Sequence, residues 1–215
     1  MISNYKHIIW DWNGTLLNDV DFCRKIINRI LVENQLSELS LDKYREIFTF
    51  PVQDYYIAAG LDFNKTSFEV MGKDFINEYE EKKLSCSLHK NVIEVLSKIH
   101  QKGIGQSVLS AYLHDSLVSI LNHYNLSQYF DNIIGLDNIY AGSKTHLGLA
   151  LIEKLNLPKD RILFIGDTLH DAEVADAMGV KSILIANGHQ VKEKLIINSN
   201  LVFDEMTQLI EYLGL

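Results

Sequence analysis

From Val92 onward the chain switches repeatedly between helical and strand-like hydrophobic spacing, and this alternation narrows its possible folds more than any other feature. Val92, Val95, Leu96 and Ile99 form an apolar helical stripe that Gly103 can stop, and the strand Gln106–Leu109 follows. The stripe Leu117, Ile120 and Leu121 leads to a short strand at Asn132–Ile134. Leu147, Leu151 and Leu155 lead in turn to the strand Arg161–Ile165. Val174, Ala175 and Met178 run to Gly179 and the strand Ser182–Ile185, and Leu201–Phe203 adds an edge strand before a short terminal helix. One more apolar strand, His7–Trp10, stands near the N-terminus. Strands alternating with helices predict the α/β class, with a parallel sheet covered by helices on both faces.

Residues 18–87 break this rhythm. Val20, Cys23, Ile27, Ile30 and Leu31 fit a long amphipathic helix; Tyr44, Ile47 and Phe48 fit a second; Phe68, Met71, Phe75 and Ile76 fit a third. No strand pattern appears there. A length of 215 residues suits one core domain carrying a sizeable insertion. The expected partition is therefore a core of residues 1–17 and 88–215 and a helical insertion of residues 18–87.

The chemistry is concentrated where strands end. His7–Trp10 delivers Asp11 to a strand tip, and Asn13-Gly14 turns the chain at once. Ligands of open α/β sheets bind at such tips, and an Asp there can hold a metal or attack phosphorus through an aspartyl-phosphate. Gly14 permits positive φ and lets backbone approach a phosphate; Thr15 holds or caps this loop. The strand Gln106–Leu109 ends at Ser110-Ala111, which offer a hydroxyl and a backbone N–H. Arg161–Ile165 ends at Gly166-Asp167-Thr168-Leu169-His170-Asp171, with two carboxylates four residues apart. Between them, Gly142-Ser143-Lys144 sets a cation at the start of a helix.

Nucleophile, hydroxyl, lysine and acidic pair, in that chain order, resemble the four motifs of the haloacid dehalogenase superfamily, phosphoglycolate phosphatase-like branch, over nearly the whole chain. The resemblance implies a Rossmann-like core with an inserted α-helical cap, and a Mg²⁺-dependent hydrolase of small phosphate monoesters. It implies Asp11 as nucleophile and Ser110 and Lys144 as donors to the transferring group, with Gly14, Thr15 and Ala111 also binding phosphate. Metal binding would fall to Asp11, the backbone carbonyl of Asn13, Asp167 and Asp171, the last also orienting metal-bound water or Lys144. Mg²⁺ is a hard ion that takes such oxygen donors.

The departure is Asn13. The common pattern has a second Asp there, which protonates the leaving oxygen and later activates water. Asn donates a hydrogen bond but transfers no proton, and positioned acid–base catalysis is worth roughly 10²–10⁴ in rate. His189, His170 and His146 are the substitutes nearest the motifs, His189 foremost. Two alternatives follow from Asn13: a phosphonate hydrolase, whose relatives use a cap lysine as Schiff base (Lys43 and Lys65 lie in the insertion), and a phosphate-binding module without turnover. A dehalogenase is disfavoured by the acidic pair, since those relatives work without metal. The segment Phe50–Tyr56, with Arg45 before it, either faces the site or packs cap on core.

A formal net charge of −8 argues against nucleic acid as a partner, but not against a small phosphorylated metabolite, which senses only the local field. Cys23 and Cys86 form no recognisable zinc or disulfide pattern. Residues 1–7 lack a signal-peptide core, and no apolar run approaches the roughly 20 residues of a membrane span. The expectation is a soluble cytoplasmic protein without a membrane partner.

Overall fold

The computed structural model describes residues 2–138, 143–198 and 201–215. Its core is a six-stranded, wholly parallel sheet. In chain order the strands are β1 (His7–Trp10), β4 (Gly105–Leu113), β5 (Asn132–Leu136), β6 (Ile162–Gly166), β7 (Lys181–Ile185) and β8 (Val202–Phe203). Their spatial order is β5-β4-β1-β6-β7-β8. The connecting helices are α5 (Val92–Gln101), α6 (His114–His123), α7 (Thr145–Leu155), α8 (Leu169–Met178) and α9 (Lys192–Asn198), and α10 (Met206–Leu213) closes the fold.

Period-2 alternation sorts the strand side chains between two apolar layers. Ile8, Trp10, Val108, Leu163 and Ile165 pack with Val95 and Leu96 of α5, Leu117 and Ile120 of α6, and Leu209 of α10. Ile9, Leu109, Ile162 and Phe164 face the other way, onto Leu151 of α7 and Val174, Ala175 and Met178 of α8. Two polar side chains beneath the sheet are paired with each other, as a dry interior favours. Trp10 Nε1 donates to Gln106 Oε1 (3.1 Å), and Gln106 Nε2 donates to the carbonyl of Leu96 (3.0 Å).

The stretch between β1 and α5 contains α1 (Val20–Glu33), α2 (Leu41–Ile47), α3 (Val52–Ala58) and α4 (Phe68–Lys82). Ser40 and Ser67 cap α2 and α4, their hydroxyls accepting from the N–H groups of Lys43 and Val70. Two features depart from the sequence reading. Helix α3 occupies part of Phe50–Tyr56, where only a turn was legible; seven residues are too few to display a helical stripe of their own. Strands also occur in the stretch: β2 (Leu17–Asn18) and β3 (Ser87–Leu88) pair antiparallel where the chain leaves and re-enters the core. Two-residue strands have no visible alternation. Among the described residues no helix is long and apolar enough to cross a membrane.

Candidate active site

Register alone brings three strand tips together. Trp10 is level with Val108 on one side and Ile165 on the other, so Asp11, Ser110 and Asp167 emerge on the same sheet edge from adjacent strands. Strand β4 does not stop at Leu109 as the sequence suggested; it continues to Leu113 with a register shift between Leu109 and Leu113. Ser110 and Ala111 sit within that irregularity, where a strand re-aims its side chains. The amide of Tyr112 donates to Ser110 Oγ (3.1 Å), leaving the hydroxyl proton available. Ser110 and Ala111 both line the cavity described below.

Asp11 remains anchored to the sheet through its own N–H, which donates to the carbonyl of Ile165 (2.8 Å). The chain then folds back: the N–H groups of Leu16 and Leu17 both reach the carbonyl of Trp12, and Gly14 adopts φ +75°. That fold tucks the buried Thr15 hydroxyl between two carboxylates, 3.2 Å from Asp11 Oδ2 and 2.9 Å from Asp167 Oδ1.

Lys144 is buried, and its ammonium spends all three protons, on Asp11 Oδ1 (2.5 Å), Asp171 Oδ1 (2.7 Å) and the carbonyl of Leu109 (3.0 Å). Gly142, from the same motif, lies outside the described residues. Asp171 is held as firmly: its Oδ2 accepts from Asp167 N–H, Thr168 N–H and Thr168 Oγ1, which also caps α8. Asp167 Oδ2 accepts from His189 N–H (2.6 Å). Two glycines make room for it, since a Cβ on Gly188 or Gly14 would overlap the Asp167 carboxylate.

Electrostatics divide this cluster. Burial pushes the Asp11 and Asp167 carboxyls up, Lys144 and His189 respectively pull them back, and the mutual repulsion of the acids adds to the rise. Burial also works to raise Asp171, but Lys144 and Thr168 outweigh it and hold that group below its ordinary value. Lys144 is held charged, because Asp11 and Asp171 overcome the burial that opposes its charge. Oxygens of Asp11, Asp167 and Asp171 lie within 4.8 Å of one another. Three crowded carboxylates, two of them raised, with one lysine among them are short of positive charge, so an all-oxygen set of this kind fits a hard divalent cation.

Asn13 is committed elsewhere. Its amide donates to Asp19 Oδ2 (2.7 Å) and to the Tyr79 hydroxyl (2.7 Å), which itself donates to Asp19 Oδ2 (2.7 Å). Asp19 Oδ1 accepts from Gly14 N–H (3.0 Å) and lies 3.4 Å from His189 Nε2. Burial works to lower the His189 pKa, but Asp19 outweighs it and the ring is held above its ordinary value. Asp19 was missed in the sequence. It stands at the N-cap of α1 yet makes no capping bond there; a cap-type residue before an apolar helix reads as a helix start, which hid its turn toward Asn13.

Of the three histidines, His189 and His170 line the cavity and His146 is exposed outside it. His189 stacks on Phe48 (centroids 4.8 Å apart) with Nδ1 2.8 Å from the Tyr44 hydroxyl. His170 stacks on Phe50 at 4.8 Å. Phe50–Tyr56 does face the site: Phe50, Val52, Tyr55 and Tyr56 form part of the wall, with Phe75 and Ile76 of α4. Arg45 does not line it and donates instead to the carbonyl of Asn187 (3.0 Å). Lys43 and Lys65 are exposed and also outside the wall, Lys43 pairing with Glu46, so neither is poised as a Schiff-base amine.

The arrangement is that of a known family. The sequence profile described as haloacid dehalogenase-like hydrolase matches residues 8–185. A phosphoglycolate phosphatase of Rhodobacter capsulatus is 23% identical over 187 residues, covering 85% of each chain. That of Rhodospirillum rubrum is 22% identical over 219 residues, covering 97% of this chain and 91% of its own. Among solved structures, a haloacid dehalogenase-like family hydrolase of Streptococcus pneumoniae superposes with a TM-score of 0.82 at 16% identity, over 98% of this chain and 99% of that one. Protein tyrosine kinase A of Mycobacterium tuberculosis does so with a TM-score of 0.81 at 21% identity, over 99% of both. This chain belongs to the haloacid dehalogenase-like hydrolases, on the branch that resembles phosphoglycolate phosphatase.

Proposed function

We propose that the protein is a Mg²⁺-dependent phosphatase of small phosphate monoesters that works through an aspartyl-phosphate on Asp11. The observation that carries this reading is the Asp11 carboxylate, anchored at a strand tip and held by Lys144 at 2.5 Å, beside Asp167 and Ser110 in one cavity. A shared fold alone does not set the direction of phosphoryl transfer, since one structural neighbour bears the name protein tyrosine kinase A. The sequence relatives named phosphoglycolate phosphatase support hydrolysis.

In the first half-reaction an Asp11 oxygen bonds to phosphorus as the ester P–O bond breaks, and the leaving oxygen departs with the electron pair. In the second, water attacks the aspartyl-phosphate, releasing inorganic phosphate and restoring Asp11. Asp11, Asp167 and the carbonyl of Asn13 would hold the metal, which supplies positive charge against the phosphate oxygens. Asp171, its oxygens already engaged, acts by holding Lys144 in place. Ser110 Oγ and the Ala111 N–H are the neutral donors to the phosphoryl group. Residues 18–87 act as the cap that closes over the substrate.

The test is phosphate release from acetyl phosphate with and without Mg²⁺, using Asp11→Asn as control. Acetyl phosphate has a good leaving group and needs no protonation by residue 13. Metal-dependent release that vanishes in Asp11→Asn, with an unchanged melting curve, is the expected result. Turnover surviving in that variant removes Asp11 as nucleophile.

A further inference from the structure

We propose that the ester group this site receives is an uncharged aromatic ring, so that its substrates are single-ring aryl phosphates rather than carboxylate-bearing ones such as phosphoglycolate. This rests on the phosphatase reading above and names the substrate class within it.

The cavity, the strand tips included, holds about 160 Å³, so beside a phosphoryl group it has room for a small ester group. Its lining outside the strand tips includes Phe50, Val52, Tyr55, Phe68, Phe75 and Ile76. Such rings offer edge-to-face and offset contacts to another ring.

The charges of the lining disfavour a second anion in the substrate. Lys144 is the only lysine among the described lining residues, no arginine joins it, and its ammonium is consumed at the strand tips by Asp11 and Asp171. His189 is engaged with Asp19 and Tyr44, and His170, stacked on Phe50, has its Nδ1 3.4 Å from Glu173. Two further carboxylates, Asp19 and Glu80, line the same space. A second carboxylate brought in by substrate would be buried without a counter-ion, a heavily penalised state. The lining also holds two buried polar groups with no partner among the described residues, the Tyr55 hydroxyl and His170 Nε2.

Asn13 points the same way independently. A phenolate leaves far more readily than an alkoxide and so depends less on the proton that Asn13 cannot supply.

Because leaving-group chemistry and ring recognition would both favour aryl substrates in turnover, the test uses phosphonates that cannot be hydrolysed by loss of that group. With Mg²⁺ present and acetyl phosphate as reporter, the inhibition constants of benzylphosphonate, 3-phosphonopropanoate and methylphosphonate are compared. Benzylphosphonate is expected to bind at least about tenfold more tightly than methylphosphonate, and 3-phosphonopropanoate no more tightly than methylphosphonate. Ile76→Arg, which adds a cation to the half-buried apolar wall, should reverse the order of the first two. Equal binding of all three, tighter binding of the carboxylate by the natural protein, or an order unmoved in a folded Ile76→Arg variant overturns the proposal. If acetyl phosphate is not hydrolysed at all, the phosphatase reading fails instead, and calorimetric titration of the same phosphonates in Mg²⁺ decides the character of the cavity separately.

Discussion

Residue 13 is where one side chain sets the chemistry. The Asn13 amide lies 2.7 Å from Asp19 Oδ2, so an Asp in its place would face another buried carboxylate, and two such groups share one proton. Asn13→Asp should therefore carry the proton an acid catalyst needs and speed hydrolysis of alkyl phosphates by about 10²–10⁴. Equal kcat for variant and natural protein on an alkyl phosphate would mean another step limits. His7 provides a stability prediction away from the site. Asn132 Nδ2 donates to Ser107 Oγ (3.0 Å), which leaves the serine proton for His7 Nε2 (2.7 Å) and favours a neutral ring. Burial lowers the His7 pKa to about 4, with Asp131 opposing. The unfolded chain, with a His pKa near ~6.5, binds a proton in this window that the folded chain refuses. Its contribution is thus fully present above the unfolded value and is lost as pH falls toward 4, up to about 3 kcal/mol. Denaturant midpoints of the natural protein should fall across that window, and His7→Asn should flatten the slope.

At the scale of elements, the site depends on loops that follow strands. The loop after β7 brings Gly188 against the Asp167 carboxylate and aims the His189 N–H at it. Gly188→Ala should displace Asp167 and cut Mg²⁺-dependent turnover by about 10²-fold or more, in line with small misplacements of catalytic groups. Metal-dependence curves with a rise in the Mg²⁺ needed would support it; normal turnover would show that the loop yields. The sequence displayed Gly188-His189 after an apolar strand and so marked the loop, but its pressure on Asp167 arises between segments 22 residues apart.

Across the whole molecule, polar links tie residues 18–87 to the sheet and its loops, among them Asn13–Asp19, Tyr44–His189 and Arg45–Asn187, and Gln190 makes another. Its Oε1 accepts from the N–H of Leu169 at the start of α8 (2.8 Å), and its Nε2 donates to the carbonyl of Phe48 beyond α2 (2.9 Å). Gln190→Ala takes the partner from the half-buried Leu169 N–H, while the Phe48 carbonyl keeps Lys194 Nζ (2.7 Å), and should cost about 1–3 kcal/mol. Thermal or denaturant unfolding measures it, and a change under 0.5 kcal/mol, about the effect of an ordinary surface substitution, would mean water replaces the side chain.

The α/β core, the strand tips at Asp11 and Asp167, and most helices were legible in the sequence because local periodicity and turn residues encode them; Ser110 read as a third tip, but β4 runs past it to Leu113. So was the departure at Asn13, visible against the family pattern. Tertiary structure decided the remainder. The Asn13–Asp19–Tyr79 bonds join residues up to 66 positions apart, and the aromatic wall gathers side chains from α3, α4 and the segment before them into one cavity. A hydrophobic pattern says that a face is buried; it does not say against what, so the character of the pocket emerges only when the helices pack.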